Sequence, residues 1–122
     1  MESTEDLARR AVACKGWRWL PGMRVVSQSG QHWRIWSETR SVYEPEGIID
    51  CVPTNDLPDL TDPATLGCLL ALVREAWGDH VWLPTCVDLE AEAWIVGSPS
   101  RNRQTRYDTE AAALVAALEA AP

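Results

Sequence analysis

LTDPATLGCLLALVREAWG, residues Leu60–Gly78, carries a start signal, one wide apolar face and a stop signal. Asp62 has the side chain of a helix N-cap, and Pro63 follows at the first helical position, where a missing N–H costs nothing. Thr61 is the alternative cap, one residue earlier. Gly78 stands where a left-handed residue closes a helix. At 100° per residue, Leu66, Leu69, Leu70, Val73 and Trp77 share a narrow arc that Leu72 and Ala76 widen. Ala64, Gly67, Cys68 and Ala71 fall on the opposite side with Glu75. That side reads either as a lightly covered solvent face or as a groove where another backbone approaches closely. The remaining segments are shorter and able to pack on this helix.

Upstream, Ser3 with Asp6 resembles a capping box, and Leu7, Ala11 and Cys14 recur at helical spacing, so a short helix is expected from about Thr4 to Cys14, closed by Gly16. Pro21-Gly22 marks a turn before a strand through Met23–Val26. SQSG is a hairpin loop, and the returning QHWRIW puts Trp33 and Ile35 on one face with His32, Arg34 and Trp36 on the other. Short β-like pieces follow at Ser41–Glu44 and Ile48–Val52, then the polar loop TNDLPD. Beyond the central helix, His80–Leu83 and Thr85–Leu89 are interrupted by Pro84, which argues for an edge strand or a bend. Ala93–Val96 is a short strand, and Thr105–Tyr107 re-enters the sheet after the loop GSPSRNRQ. Asp108 or Thr109 caps a last helix with the stripe Ala111, Leu114, Val115 and Leu118. The expected fold is α+β, a mainly antiparallel β-sheet with about three helices packed on it in the order α-β-β-α-β-β-α, residues 1–122 forming one domain.

A chain of 122 residues is long enough to bury a core without staples. It has no apolar run long enough to span a membrane, and MESTEDLARR is acidic and amphipathic, unlike a secretion signal. The four cysteines, Cys14, Cys51, Cys68 and Cys86, form no C-x-x-C pair, so reduced thiols in a cytoplasm are expected. Net charge is −7, unevenly spread: +3 over residues 1–40, −10 over 41–100 and zero over 101–122. Such a balance disfavours direct nucleic-acid binding. It reads either as plain solubility through self-repulsion or as a negative surface that docks on a basic partner.

GWRWLPGMRV, LPDLTDPATLGCLLALVREAWGD and DTEAAALVAALEAAP together resemble small proteins of bacteriophages and prophages, with similarity to the phage ABA-sandwich group. The resemblance covers about half of the chain. It implies a layered α/β fold and a phage-encoded accessory protein acting in the bacterial host cytoplasm. The shared residues are caps, leucines and tryptophans, so they carry over no catalytic role.

Chemistry-bearing motifs are sparse. Cys14, His32, Cys51, Cys68, His80 and Cys86 include no two residues at zinc-ligand spacing, and no Gly-rich turn opens a helix. No local motif surrounds a cysteine as in a nucleophilic Cys–His pair, and Asp88, Glu90 and Glu92 read as a solvated strand face. Arg101, Arg103 and Arg106 form a small basic loop, read as solvated or as a contact to a partner's carboxylate or phosphate. No enzyme activity, cofactor or metal is expected. Trp33 and Trp77 are expected in the core, with Trp36, Trp82 and one of Trp17 and Trp19 partly exposed.

The expected function is inhibition of a bacterial defence complex by protein–protein contact through an acidic surface, in the manner of anti-CRISPR proteins, with a CRISPR effector as one such partner. A phage structural or housekeeping role is the alternative, and a small ligand-binding domain or enzyme a more distant one. The partner would present a basic surface. Asp56, Asp59 and Asp62 are the leading contact residues, followed by Glu44 and Glu46, with Trp36 or Trp82 as aromatic anchor.

Overall fold

The computed structural model describes residues 2–27, 30–37, 41–44, 48–49, 56–88, 90, 93–97 and 105–122, with the backbone alone at 41–44, 48–49 and 87–88. Among these the chain forms α1 (Thr4–Val12), β1 (Arg24–Val26), β2 (His32–Ile35), β3 (Ser41–Glu44), β4 (Ile48–Ile49) and β5 (Leu57–Pro58). Then come α2 (Pro63–Trp77), β6 (Leu83–Asp88), β7 (Ala93–Gly97) and α3 (Glu110–Glu119). The fold is α+β, three helices with antiparallel sheets.

α2 begins and ends where its sequence dictates. Asp62 caps it, accepting from the Thr65 amide at 3.0 Å, and Pro63 opens the first turn. Gly78, at φ 64°, closes it: its own N–H reaches the Glu75 carbonyl, and the Asp79 N–H reaches that of Arg74. Alanine at Gly78 would hold a left-handed backbone, so Gly78→Ala is expected to lower stability by about 1 kcal/mol, read from the urea midpoint. Leu69, Leu72 and Val73 are buried, while Leu66, Leu70, Ala76 and Trp77 are partly covered. Ala64, Gly67, Ala71 and Glu75 face solvent, and a Cβ built on Gly67 would meet nothing within 4 Å. The small-residue side is therefore the solvent face, with Cys68 alone bordered by the Pro21-Gly22 turn.

α3, rather than α2, takes the middle of the molecule. It packs against α1, α2, β6 and β7, and Ala111, Ala113, Leu114, Val115, Ala117 and Leu118 are all buried. Between Ala111 and Leu118 no polar residue interrupts the sequence AAALVAAL, the composition of a helix buried all round. α1 stops at Val12, two residues short of the expected end. Gly16 instead allows a close approach: a Cβ there would lie 3.1 Å from the Leu118 side chain and 3.3 Å from that of Ala76.

The strands form two sheets instead of one. The larger has order β4-β3-β2-β1-β5, antiparallel throughout, and the smaller pairs β6 with β7. β5 lies within the stretch read as a polar loop. It is only two residues long and contains a proline, which an edge strand tolerates and alternation cannot reveal. Pro84 is inside β6 and not at a break; β6 has a single neighbour strand among the described residues, so one missing N–H leaves the ladder intact. The return at Thr105–Tyr107 shrinks to one bridge, Trp94 with Tyr107, closed by two hydrogen bonds of 2.8 Å.

Candidate interaction surface

Three arginines of the first forty residues, Arg18, Arg24 and Arg34, meet acids of the middle block. Arg24 and Arg34 are direct cross-strand partners on β1 and β2, so both side chains leave the same face of the sheet. From there they reach the segment that leads into α2. The Arg34 guanidinium grips Asp62 through both nitrogens, Nη1 to Oδ2 at 2.6 Å and Nη2 to Oδ1 at 3.1 Å, and donates to the Gly22 carbonyl at 3.0 Å. The Thr65 hydroxyl donates to Asp62 at 2.9 Å and accepts from the Arg24 amide at 2.8 Å. Arg24 pairs with Asp59 at 3.2 Å, and the other Asp59 oxygen accepts from the Thr61 amide and hydroxyl at 3.0 and 2.5 Å. Arg18 pairs with Glu75 on the surface.

Asp59 and Asp62 are thus spoken for from within. Their side chains are only 10% and 11% exposed. Burial pushes the Asp62 carboxyl up, but the Arg34 fork and the two hydrogen bonds from Thr65 outweigh it and hold it below the usual carboxylate range. This corrects their assignment as partner contacts: they fasten the β1–β2 hairpin to the start of α2. The opposed charges of residues 1–40 and 41–100 read, in this part of the chain, as complementarity within one molecule.

The other expected contacts separate. Asp56 is half-buried on the wall of a cleft. Glu44 closes β3, its backbone opposite His32, and Glu46 lies outside the described residues. Trp36 follows β2 and is 56% exposed. Trp82 is fully buried, which corrects its reading as an anchor: it stacks on Trp77 with ring centroids 4.9 Å apart and planes 22° from parallel. Its neighbours Val81 and Leu83 are the residues that face solvent. Trp17, Trp19 and Trp33 are half-buried.

The cleft beside Asp56 has a volume of about 430 Å³ and lies between α1 and the β1–β5 edge. Ala8, Val26, Leu57 and Pro58 give it apolar walls, and Glu5, Arg9 and Asp56 supply charge. Its size suits a ligand or a few inserted side chains.

Burial pushes the thiols of Cys14 and Cys68 up, with the carboxylates of Glu119 and Asp62 adding to it, so neither is an activated thiolate. Cys14 and Cys68 are free, Cys86 is half-buried on β6, and Cys51 lies outside the described residues. Among the described residues no group of three or more His, Cys, Asp or Glu could hold a metal ion, and no helix is long and apolar enough to cross a membrane. Arg106 is exposed, while Arg101 and Arg103 lie outside the described residues.

Arg24, Arg34 and Thr65 are the partners that sequence reasoning passed over. Their signal was an arginine on the polar phase of each hairpin strand, together with the opposite charge of the two segments. No protein family, curated protein or solved structure matches the chain.

Proposed function

We propose that the protein acts by binding another protein through a negatively charged, tryptophan-bearing surface, and that it thereby blocks a positively charged face of a bacterial defence complex. The observation that carries the binding half is Trp36. A large indole left 56% in solvent, next to a segment holding Glu38, Glu44, Glu46 and Asp50, has the composition of an interaction hot spot. The defence-complex half, with a CRISPR effector as the partner class, rests on the resemblance of three segments to phage proteins. Within residues 41–100, Asp59, Asp62 and Glu75 are among the acids that pair with arginines of the same chain. The charge offered to a partner therefore comes from the remaining acids.

Capture from a bacterial lysate carrying a defence system, with the wild type and Trp36→Ala as baits, tests this. The wild type is expected to retain a stable component of the complex, with retention weakening as salt rises. Trp36→Ala is expected to lose about 30-fold in affinity, the magnitude of an interface hot spot, while its melting temperature stays within a few degrees of the wild type. Equal retention by both baits would remove Trp36 from the interface.

A further inference from the structure

A second cleft opens beside the first. It has a volume of about 330 Å³, lies where the starts of α1, α2 and α3 converge, and shares Thr4, Leu60 and Thr61 with its neighbour. Leu7, Leu66, Ala111 and Ala112 add apolar lining. Among the described residues, the charged side chains lining the two clefts are six carboxylates, Glu2, Glu5, Asp56, Asp59, Asp108 and Glu110, and one cation, Arg9. Glu2, Glu5 and Asp59 are paired with Arg10, Arg9 and Arg24. Asp56, Asp108 and Glu110 have no ion pair among the described residues. The N-termini of α1 and α3 each bring about half a positive charge, and Glu5 and Glu110 in their first turns offset it. What remains is an apolar trough with a negative rim.

We infer that this double cleft is the docking groove for a positively charged amphipathic segment of a partner protein, its apolar side chains against the partly exposed Val26, Leu57, Leu66 and Ala112 and its lysines or arginines over Asp56, Asp108 and Glu110. The inference rests on the proposed binding of a basic protein and names the part of this surface that does the gripping. Two features select the occupant. A trough with room for several side chains and leucines along it takes an apolar helix face or strand face rather than one lone cation. A mainly negative rim disfavours acidic segments, and with the chain at net −7 it also disfavours a second copy.

The probe is a 16-residue amphipathic peptide of leucine and lysine, with a scrambled peptide of identical composition as its control. By titration the ordered peptide is expected to bind at least tenfold more tightly than the scrambled one. Its NMR shift changes should centre on Val26, Leu57, Leu66 and Ala112, leaving the Trp36 indole unmoved. Asp108→Lys with Glu110→Lys should weaken binding tenfold or more, and Asp56→Lys, which alters no helix, serves as an independent variant. Equal affinity for both peptides, shifts centred elsewhere, unchanged affinity in the charge variants, or self-association through the clefts would each overturn the groove. Capture of a defence component by the wild type that the charge variants leave intact would also overturn the groove, yet leave the binding reading standing. Peptide binding in the groove without any captured component would do the reverse.

Discussion

Trp82→Ala is expected to remove a large part of the domain's stability. The side chain is fully buried and stacked on Trp77, so its removal leaves a large hole beside α2. Truncation of a buried tryptophan costs about 3–5 kcal/mol. A domain of this size has about 5–15 kcal/mol in total. The corresponding fall in melting temperature is roughly 10–20 °C. Trp82→Phe separates volume from stacking. It keeps a ring against Trp77, and it removes an indole N–H that has no hydrogen-bond partner among the described residues. An unpaired buried donor costs about 1–3 kcal/mol, so its removal offsets part of the lost volume. Phenylalanine is therefore expected to cost far less than alanine. A drop of only a few degrees for Trp82→Ala, measured by differential scanning calorimetry, would mean that the ring is not a core element.

Trp82 also shows where sequence reasoning stops. Its neighbours in the chain are exposed Val81 and Leu83 and the turn at Asp79–His80, so the local pattern contains nothing that distinguishes the buried ring from its exposed flanks. Its ring joins the core and stacks on Trp77, five residues earlier and across the Gly78 cap, while the Arg74 Nε donates to the Trp82 carbonyl at 2.9 Å. A sharp reversal brings these together, and periodicity cannot see past a reversal. By contrast α2, its caps and the α3 cap at Thr109 were legible because each depends on residues within one helical turn. The hairpin β1–β2 was legible because alternation extends over both strands. The division of the strands into two sheets depends on long-range pairing, such as β5 returning to β1, and left no local trace. For the candidate surface, exposure of Trp36 agreed with its place on the polar phase of β2, whereas the roles of Asp59 and Asp62 depended on arginines 28 to 35 residues away.

Those two aspartates lead to the second large effect. Asp62→Ala removes three interactions at once: the cap on the Thr65 amide, the bond from the Thr65 hydroxyl and the fork from Arg34. An N-cap contributes about 1 kcal/mol and hydrogen bonds to a charged group about 1.5–3 kcal/mol, so a loss of roughly 2–4 kcal/mol is expected at neutral pH. Arg34, two-thirds buried, loses the Asp62 carboxylate and keeps its bond to the Gly22 carbonyl. Asp62→Asn refines the test, because an asparagine oxygen can still cap the helix while the ion pair is lost. The aspartate is held below its usual value of 3.8, so the folded protein binds that proton more weakly than the unfolded chain does. Its contribution is therefore fully present above about pH 5 and fades as pH falls through 3.8 toward the lowered folded value. The stability gap between wild type and Asp62→Asn should be widest near neutrality and should shrink below about pH 4. Urea denaturation of both proteins at pH 7 and pH 3 measures it. A gap that stayed constant, or grew in acid, would show that Asp62 acts only as a cap and that Arg34 contributes nothing through its charge.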